Sequence, residues 1–206
     1  MGATQRDEWL RAAWRVIVAG ALDPRRFVFV EEMGTNTSLC ALYAYAPKGR
    51  RAYTRVPRNR GTNTTLLASM SLWRGWDLAW RWKVPQPPQS WRLTSRECSP
   101  ESLRRAQIIV LDNLSAHKSE RAKELIEERG CQLLLYLPAY SSPEFNPIEE
   151  AFSKIKSALR KAQARTREAL VEALGVAIWA VTTRDAHGFF EPGGYHLPVH
   201  LLSNTL

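Results

Sequence analysis

The run Phe27-Val28-Phe29-Val30-Glu31-Glu32 (FVFVEE, residues 27–32) decides how the chain is read, because four β-favouring apolar residues, too few for a helix, lead straight into two carboxylates. An uninterrupted apolar run of this length marks a strand buried on both faces. Acids at the end of such a strand are costly to bury unless they are paired or bind a cation. The pattern recurs at Gln107-Ile108-Ile109-Val110-Leu111, which ends in Asp112-Asn113.

Working outward from these two runs, apolar residues at Trp9, Leu10, Ala13, Val16 and Ile17 predict a short amphipathic lead-in helix within residues 1–22, ended by Pro24. Further strands are predicted from Ser38 to Ala46, with a turn at Pro47-Lys48-Gly49, from Thr64 to Leu72, and from Leu133 to Leu137, closed by Pro138. Lys118 to Arg129 is rich in helix formers and stops at Gly130. Pro147 opens a helix whose stripe is Ile148, Phe152, Ile155 and Leu159. A last helix is predicted from about Arg167 to Val181, followed by a tail containing Gly188, Pro192, Gly193 and Gly194. Strands, then strand–helix–strand, then helices make an α/β plan: a mixed sheet of about five strands flanked by helices, in a single domain over residues 1–206.

Composition narrows the class. With 45% hydrophobic and 24% charged residues the chain can bury a core, and no apolar run approaches the roughly 18 to 20 residues that span a bilayer, so no membrane role is expected. Asp7, Glu8 and Arg11 interrupt what would otherwise be a leader, which points to a cytoplasmic protein. Cys40, Cys98 and Cys131 are odd in number and widely spaced, suggesting small core residues rather than a disulfide framework or a zinc site. A formal net charge of +9 favours a polyanionic partner, since neutralised phosphates release counterions.

The acids then suggest chemistry. Glu31 and Glu32 follow one strand, Asp112 follows another, and Glu149 and Glu150 sit in the first turn of the helix that Pro147 opens. Mg²⁺ takes oxygen ligands, and two such ions held by three or four carboxylates can drive an in-line phosphoryl displacement. The plainer readings are solvated loop acids, first-turn acids favoured by the helix dipole at Glu149 and Glu150, and a surface histidine at His117.

Two long blocks add a resemblance. Asp112-Asn113-Leu114-Ser115-Ala116-His117-Lys118, and Leu137-Pro138-Ala139-Tyr140-Ser141-Ser142-Pro143-Glu144-Phe145-Asn146-Pro147-Ile148-Glu149-Glu150, resemble the core signature of the mariner-like bacterial transposases, the insertion sequence 630 family. The 36 residues between Asp112 and Glu149 agree with that family's spacing. Phe29 to Thr35, Tyr45 to Gly49 and Asn63 to Leu67 resemble its earlier segments. The resemblance implies a ribonuclease H-like fold and an acidic triad of Glu31, Asp112 and Glu149 binding two Mg²⁺ or Mn²⁺ ions. It also implies cleavage and joining of DNA strands at transposon ends and target. Glu32, Asn113, His117, Lys118 and Glu150 are supporting residues in this reading, and a homodimer is implied as well. Arg50, Arg51, Lys154, Lys156, Arg160 and Lys161, with Arg55, Arg58 and Arg60, are expected to contact phosphates, although the set on 154 to 161 reads equally as a solvated helix face.

Three departures from the family stand out. Where the family has Asp followed by Glu, this chain has Glu31-Glu32, which moves the first carboxylate outward by one methylene, about 1.5 Å. Family members begin with helix-turn-helix modules, whereas here only a short helix precedes the first strand, so a separate helix-turn-helix subunit or a truncated copy is expected. The segment from Trp73 to about Pro100 holds five of the eight tryptophans and four of the twelve prolines. It reads either as the product of two compensating frameshifts, since shifted TGG codons restore a family-like helix, or as an aromatic insertion that packs or stacks on bases. The functional alternatives are thus a transposase catalytic domain, a catalytically inactive relic that binds DNA non-specifically, and a different nuclease on the same fold.

Overall fold

The computed structural model describes residues 7–59, 61–72, 75–77, 106–112, 124, 127–128, 130–131, 133–138 and 144–197. Its centre is a mixed sheet built from β1 (Phe27–Thr35), β2 (Thr64–Ser71), β3 (Gly75–Asp77), β4 (Ile108–Leu111) and β5 (Leu133–Tyr136), in the spatial order β3-β2-β1-β4-β5. β2 runs antiparallel to β1 and β3, whereas β4 runs parallel to β1 and β5 parallel to β4. β1 continues well past Val30, because its second half pairs with β2: Glu31 lies opposite Ala68 and Thr35 opposite Thr64. The two acids therefore lie inside a strand rather than beyond its end.

The α-helices that lie wholly within the described residues are α1 (Glu8–Ala13), continued by a π-helical turn over Trp14–Ala19, α2 (Pro147–Ala162), α3 (Arg167–Trp179) and α4 (Thr183–Phe190). The stripe Ile148, Phe152, Ile155 and Leu159 is buried as its spacing predicts, and it lies on the sheet face carrying Phe27, Phe29 and Met33 of β1 and Ile108 and Val110 of β4. The opposite face forms a smaller cluster of Val28, Ile109, Leu111 and Cys131, joined by the half-buried Val30. Cys131 is a small core residue as expected, while Cys40 is only half-buried. Gly130, at φ +73°, accepts an N–H bond from Ala106 and donates to Glu127 O, so the chain turns there as its glycine suggests.

The structure corrects three expectations. Residues 38–46 form no strand: Leu42, Tyr43 and Tyr45 are exposed, and only the turn at Pro47–Arg50 is present, with Gly49 at φ +81°. The helix ending at Trp179 is not the last, since Thr182 and Asp185 form a reciprocal capping box that starts α4, and Gly188 lies inside that helix. The lead-in helix faces the other way. Trp9, Leu10, Val16 and Ile17 are exposed, and Arg11, Trp14 and Ala19 are buried. Periodicity located the helix but not its inner face, because an arginine that finds a carboxylate and an aromatic ring outcompetes leucine for that position.

This reversal has a direct test. Trp14→Ala is expected to lower stability by about 3–5 kcal/mol in urea unfolding, while Trp9→Ser stays within about 0.5 kcal/mol of the parent.

Candidate active site

Strand parity brings the acids together. In the parallel register Phe27 lies beside Ile108 and Phe29 beside Val110, all on the face that α2 covers. The next pair of the same parity is Glu31 and Asp112, which places both side chains at the edge of that core face. Glu31 is 8% exposed and Asp112 half-buried, whereas Glu32, one residue out of phase, is exposed. α2 begins over the same edge and carries the half-buried Glu149 in its first turn, with Glu150 exposed.

Asn146 links the helix to the strand. It occupies the N-cap of α2 but makes no side-chain capping bond. An Asn there usually accepts from the N–H groups of the first turn. Its Nδ2 instead donates to Glu31 Oε2 at 3.1 Å, while Glu31 Oε1 accepts from the Glu32 N–H at 3.1 Å. Asn146 is 2% exposed, and its Oδ1 has no hydrogen-bond partner. Burial is the main cause that pushes the Glu31 carboxyl up to about 7, with the charges of Asp112 and Glu149 acting in the same sense. The hydrogen bonds from Glu32 and Asn146 oppose them. That both other acids act on Glu31 shows the three to be electrostatic neighbours.

The loop before Asn146 is braced from both ends of the chain. The Arg11 guanidinium, 1% exposed, forms an ion pair with Glu144, and Arg11 and Arg15 each lie 4.9 Å from the centre of the Phe145 ring. Trp14 Nε1 donates to the Tyr195 hydroxyl at 3.0 Å, and that hydroxyl donates to Phe145 O at 2.8 Å. Tyr195 packs against Phe27, Phe29 and Phe190, and burial raises its phenol above the ordinary range.

Among the described residues no group of three or more His, Cys, Asp or Glu is gathered closely enough to hold a metal ion as it stands. The donor set nevertheless fits a hard divalent cation: three carboxylates at one edge, one of them pushed up to about 7 chiefly by its burial, and a buried amide oxygen without a partner. Asn113, His117 and Lys118 lie outside the described residues, as do Arg60 and most of 73–100, of which only β3 is described. Arg50, Arg51, Arg55, Arg58 and Lys161 are exposed, and Lys156 and Arg160 half-buried. Lys154 donates to Asp185 at 2.7 Å, so that ammonium is engaged within the fold, and it holds Asp185 down to about 2. Asn146, Arg11, Trp14, Glu144 and Tyr195 went unread as site-building residues. An Asn before Pro-Ile-Glu signals a helix cap, and nothing in one-dimensional spacing reveals that the cap is diverted.

The model of the DDE superfamily endonuclease family matches residues 26–171. No curated protein matches the chain. Among solved structures, the Mos1 transposase paired-end complex with left transposon end aligns at a TM-score of 0.61 and 17% identity, over 91% of this chain and 56% of that one. The mariner Mos1 paired-end complex with Mg aligns at 0.65 and 16%, over 94% and 62%. The Mos1 transposase catalytic domain with Raltegravir and Mg aligns at 0.55 and 15%, over 90% and 87%. At these identities the likeness is one of fold, and the chain spans less than two thirds of the chains in the two paired-end complexes.

Glu31 has an ordinary value of 4.5 when unfolded and about 7 when folded, so between these the folded form binds more protons and its stability falls as pH rises. Glu31→Gln removes that fall while leaving an acceptor for Asn146. The stability advantage of the variant is expected to grow by about 2 kcal/mol between pH 4.5 and 7.5, after allowance for solvent reaching the carboxylate. Urea midpoints measured across this range check it, and an advantage that stays constant refutes the burial of Glu31.

Proposed function

The chain belongs to the DDE superfamily endonuclease family, and from that premise we propose that it is the catalytic domain of a mariner-like transposase of the insertion sequence 630 kind, which cleaves DNA strands and joins them by phosphoryl transfer. The observation that carries the proposal is geometric: Glu31 and Asp112 follow the same parity on neighbouring parallel strands, and Asn146, at the start of the helix that bears Glu149, donates to Glu31 Oε2 at 3.1 Å. The strand order, with β4 and β5 parallel to the central β1 and β2 antiparallel to it, supports a ribonuclease H-like reading.

In this reading Glu31, Asp112 and Glu149 hold two Mg²⁺ or Mn²⁺ ions. Bound there, such ions supply Lewis-acid activation of a water or a 3′-hydroxyl and neutralise charge on the leaving oxygen. The chain's own contribution is positional. Asn146 fixes the orientation of the Glu31 carboxylate, and the brace of Arg11, Trp14 and Tyr195 fixes Asn146. Glu32, Asn113, His117, Lys118 and Glu150 are supporting residues of the same site, and Arg50, Arg51, Lys156, Arg160 and Lys161 contact phosphates. The partners that go with it are transposon-end and target DNA, a second copy of the chain, and a separate helix-turn-helix unit that reads sequence, all in a bacterial cytoplasm. A nucleotide sequence in which shifted frames over 73–100 encode a helix would support the frameshift origin of that segment.

A second reading, a DNA-binding relative without turnover, is favoured by the extra methylene of Glu31. A misplacement of about 1 Å can lower a rate on the order of a hundredfold. Supercoiled-plasmid nicking separates the two. The transposase reading expects Mg²⁺- or Mn²⁺-dependent nicking that Asp112→Ala lowers by at least about a hundredfold, together with joining of a pre-cut end to target DNA. A folded sample that binds plasmid but never nicks it supports the second reading, and nicking without joining supports a plain nuclease.

A further inference from the structure

The connection between β1 and β2, residues 36–63, contains no helix or strand among its described residues. Loops beyond about 12–15 residues without regular structure are uncommon in a packed domain unless they serve a function. This one has a built root. Asn36 Nδ2 donates to Asn63 Oδ1 at 3.3 Å across its base, the Ser38 N–H and hydroxyl donate to Asn36 Oδ1, and Arg165 Nη1 donates to Thr37 O at 3.1 Å and Leu39 O at 2.8 Å. Beyond the root the chain runs out to the turn at Pro47–Arg50 and back.

The outer part has an unusual surface. No Asp or Glu occurs anywhere from Met33 to Trp76. Lys48, Arg50, Arg51, Arg55 and Arg58 are exposed, and none of them makes an ion pair among the described residues. Interleaved with them, Tyr43, Tyr45 and Tyr53 are 92%, 108% and 89% exposed. Rings held in water contribute nothing to the fold, and cations alone would suffice for a duplex, whose base faces are hidden. Cations alternating with open aromatic faces match a strand whose bases are unstacked. The root leaves β1 four residues after Glu31, about 13 Å along the strand, and is tied to Arg165 just beyond the C-terminal end of α2.

We propose that residues 42–58 are a binding arm for single-stranded DNA, in which Arg50, Arg51, Arg55 and Arg58 hold phosphates and Tyr43, Tyr45 and Tyr53 stack on unpaired bases. The proposal rests on the DNA-directed reading above and gives it a substrate form. The test is fluorescence anisotropy of the full chain, in EDTA to prevent cleavage, with a labelled oligothymidylate and with a duplex of equal length, each at several salt concentrations. The triple variant Tyr43→Ala, Tyr45→Ala, Tyr53→Ala is expected to lose at least about tenfold in single-strand affinity and to keep duplex affinity within about twofold. Its salt slope is expected to stay unchanged, and Tyr→Phe at the three positions restores binding. Arg50→Gln with Arg51→Gln weakens both ligands and flattens the dependence of log K on log salt by about 1 to 2. Unchanged single-strand affinity in the tyrosine variant, equal loss on both ligands, or a changed oligomeric state with intact single-strand binding each overturns the arm proposal while leaving the DNA-directed reading in place. A folded chain that binds neither ligand overturns both.

Discussion

A carboxylate on the core side of a strand is the constraint around which this molecule is arranged. Glu31 shares its face with Phe27, Phe29 and Met33, and a residue at that position would ordinarily be apolar. Two hydrogen bonds meet the carboxylate, one from its own strand and one from a side chain that would otherwise cap a helix. Both choices give up something locally. The first turn of α2 loses its side-chain cap, and the sheet carries an acid whose charge its neighbours oppose. Rule-breaking of this kind, concentrated at one edge of an otherwise consistent fold, is characteristic of functional sites.

The support around that edge is assembled from distant parts of the chain. Arg11 and Trp14 come from the leading helix, Glu144 to Asn146 from the approach to α2, and Tyr195 from beyond α4. The tyrosine hydroxyl accepts from one partner and donates to the other, so both of its roles are satisfied in a setting with no access to water. The brace fixes backbone rather than reacting groups. One route from it to the acids runs through Asn146, which makes that amide a joint between packing and chemistry.

Much of this was legible in the order of residues, and the remainder was hidden for identifiable reasons. The runs at 27–30 and 108–111 had to be strands because nothing so short and so apolar makes a stable helix, while Glu31 was singled out over Glu32 by the family resemblance, a choice that strand parity explains. The stripe from Ile148 to Leu159 was equally direct. Residues 38–46 misled because tyrosine and leucine favour strands, yet a strand needs a neighbour to bond with, and sequence does not record whether one is in reach. Apolar spacing on the leading helix was real, but Arg11 took the inner face through partners more than a hundred residues away. The Thr182-to-Asp185 capping box was a readable helix start obscured by the glycines that follow it. Asn146 was out of reach, since an amide that caps and an amide that holds a carboxylate are spelled alike.

Tyr195 has a consequence in time as well as in space. During synthesis the strands bearing Glu31 and Asp112 and the helix bearing Glu149 all leave the ribosome well before residue 195 does. Until that phenol arrives, the loop ahead of Asn146 lacks the bond that fixes Phe145. A half-made chain thus carries Glu31, Asp112 and Glu149 before the turn that leads into α2 gains its bond from Tyr195.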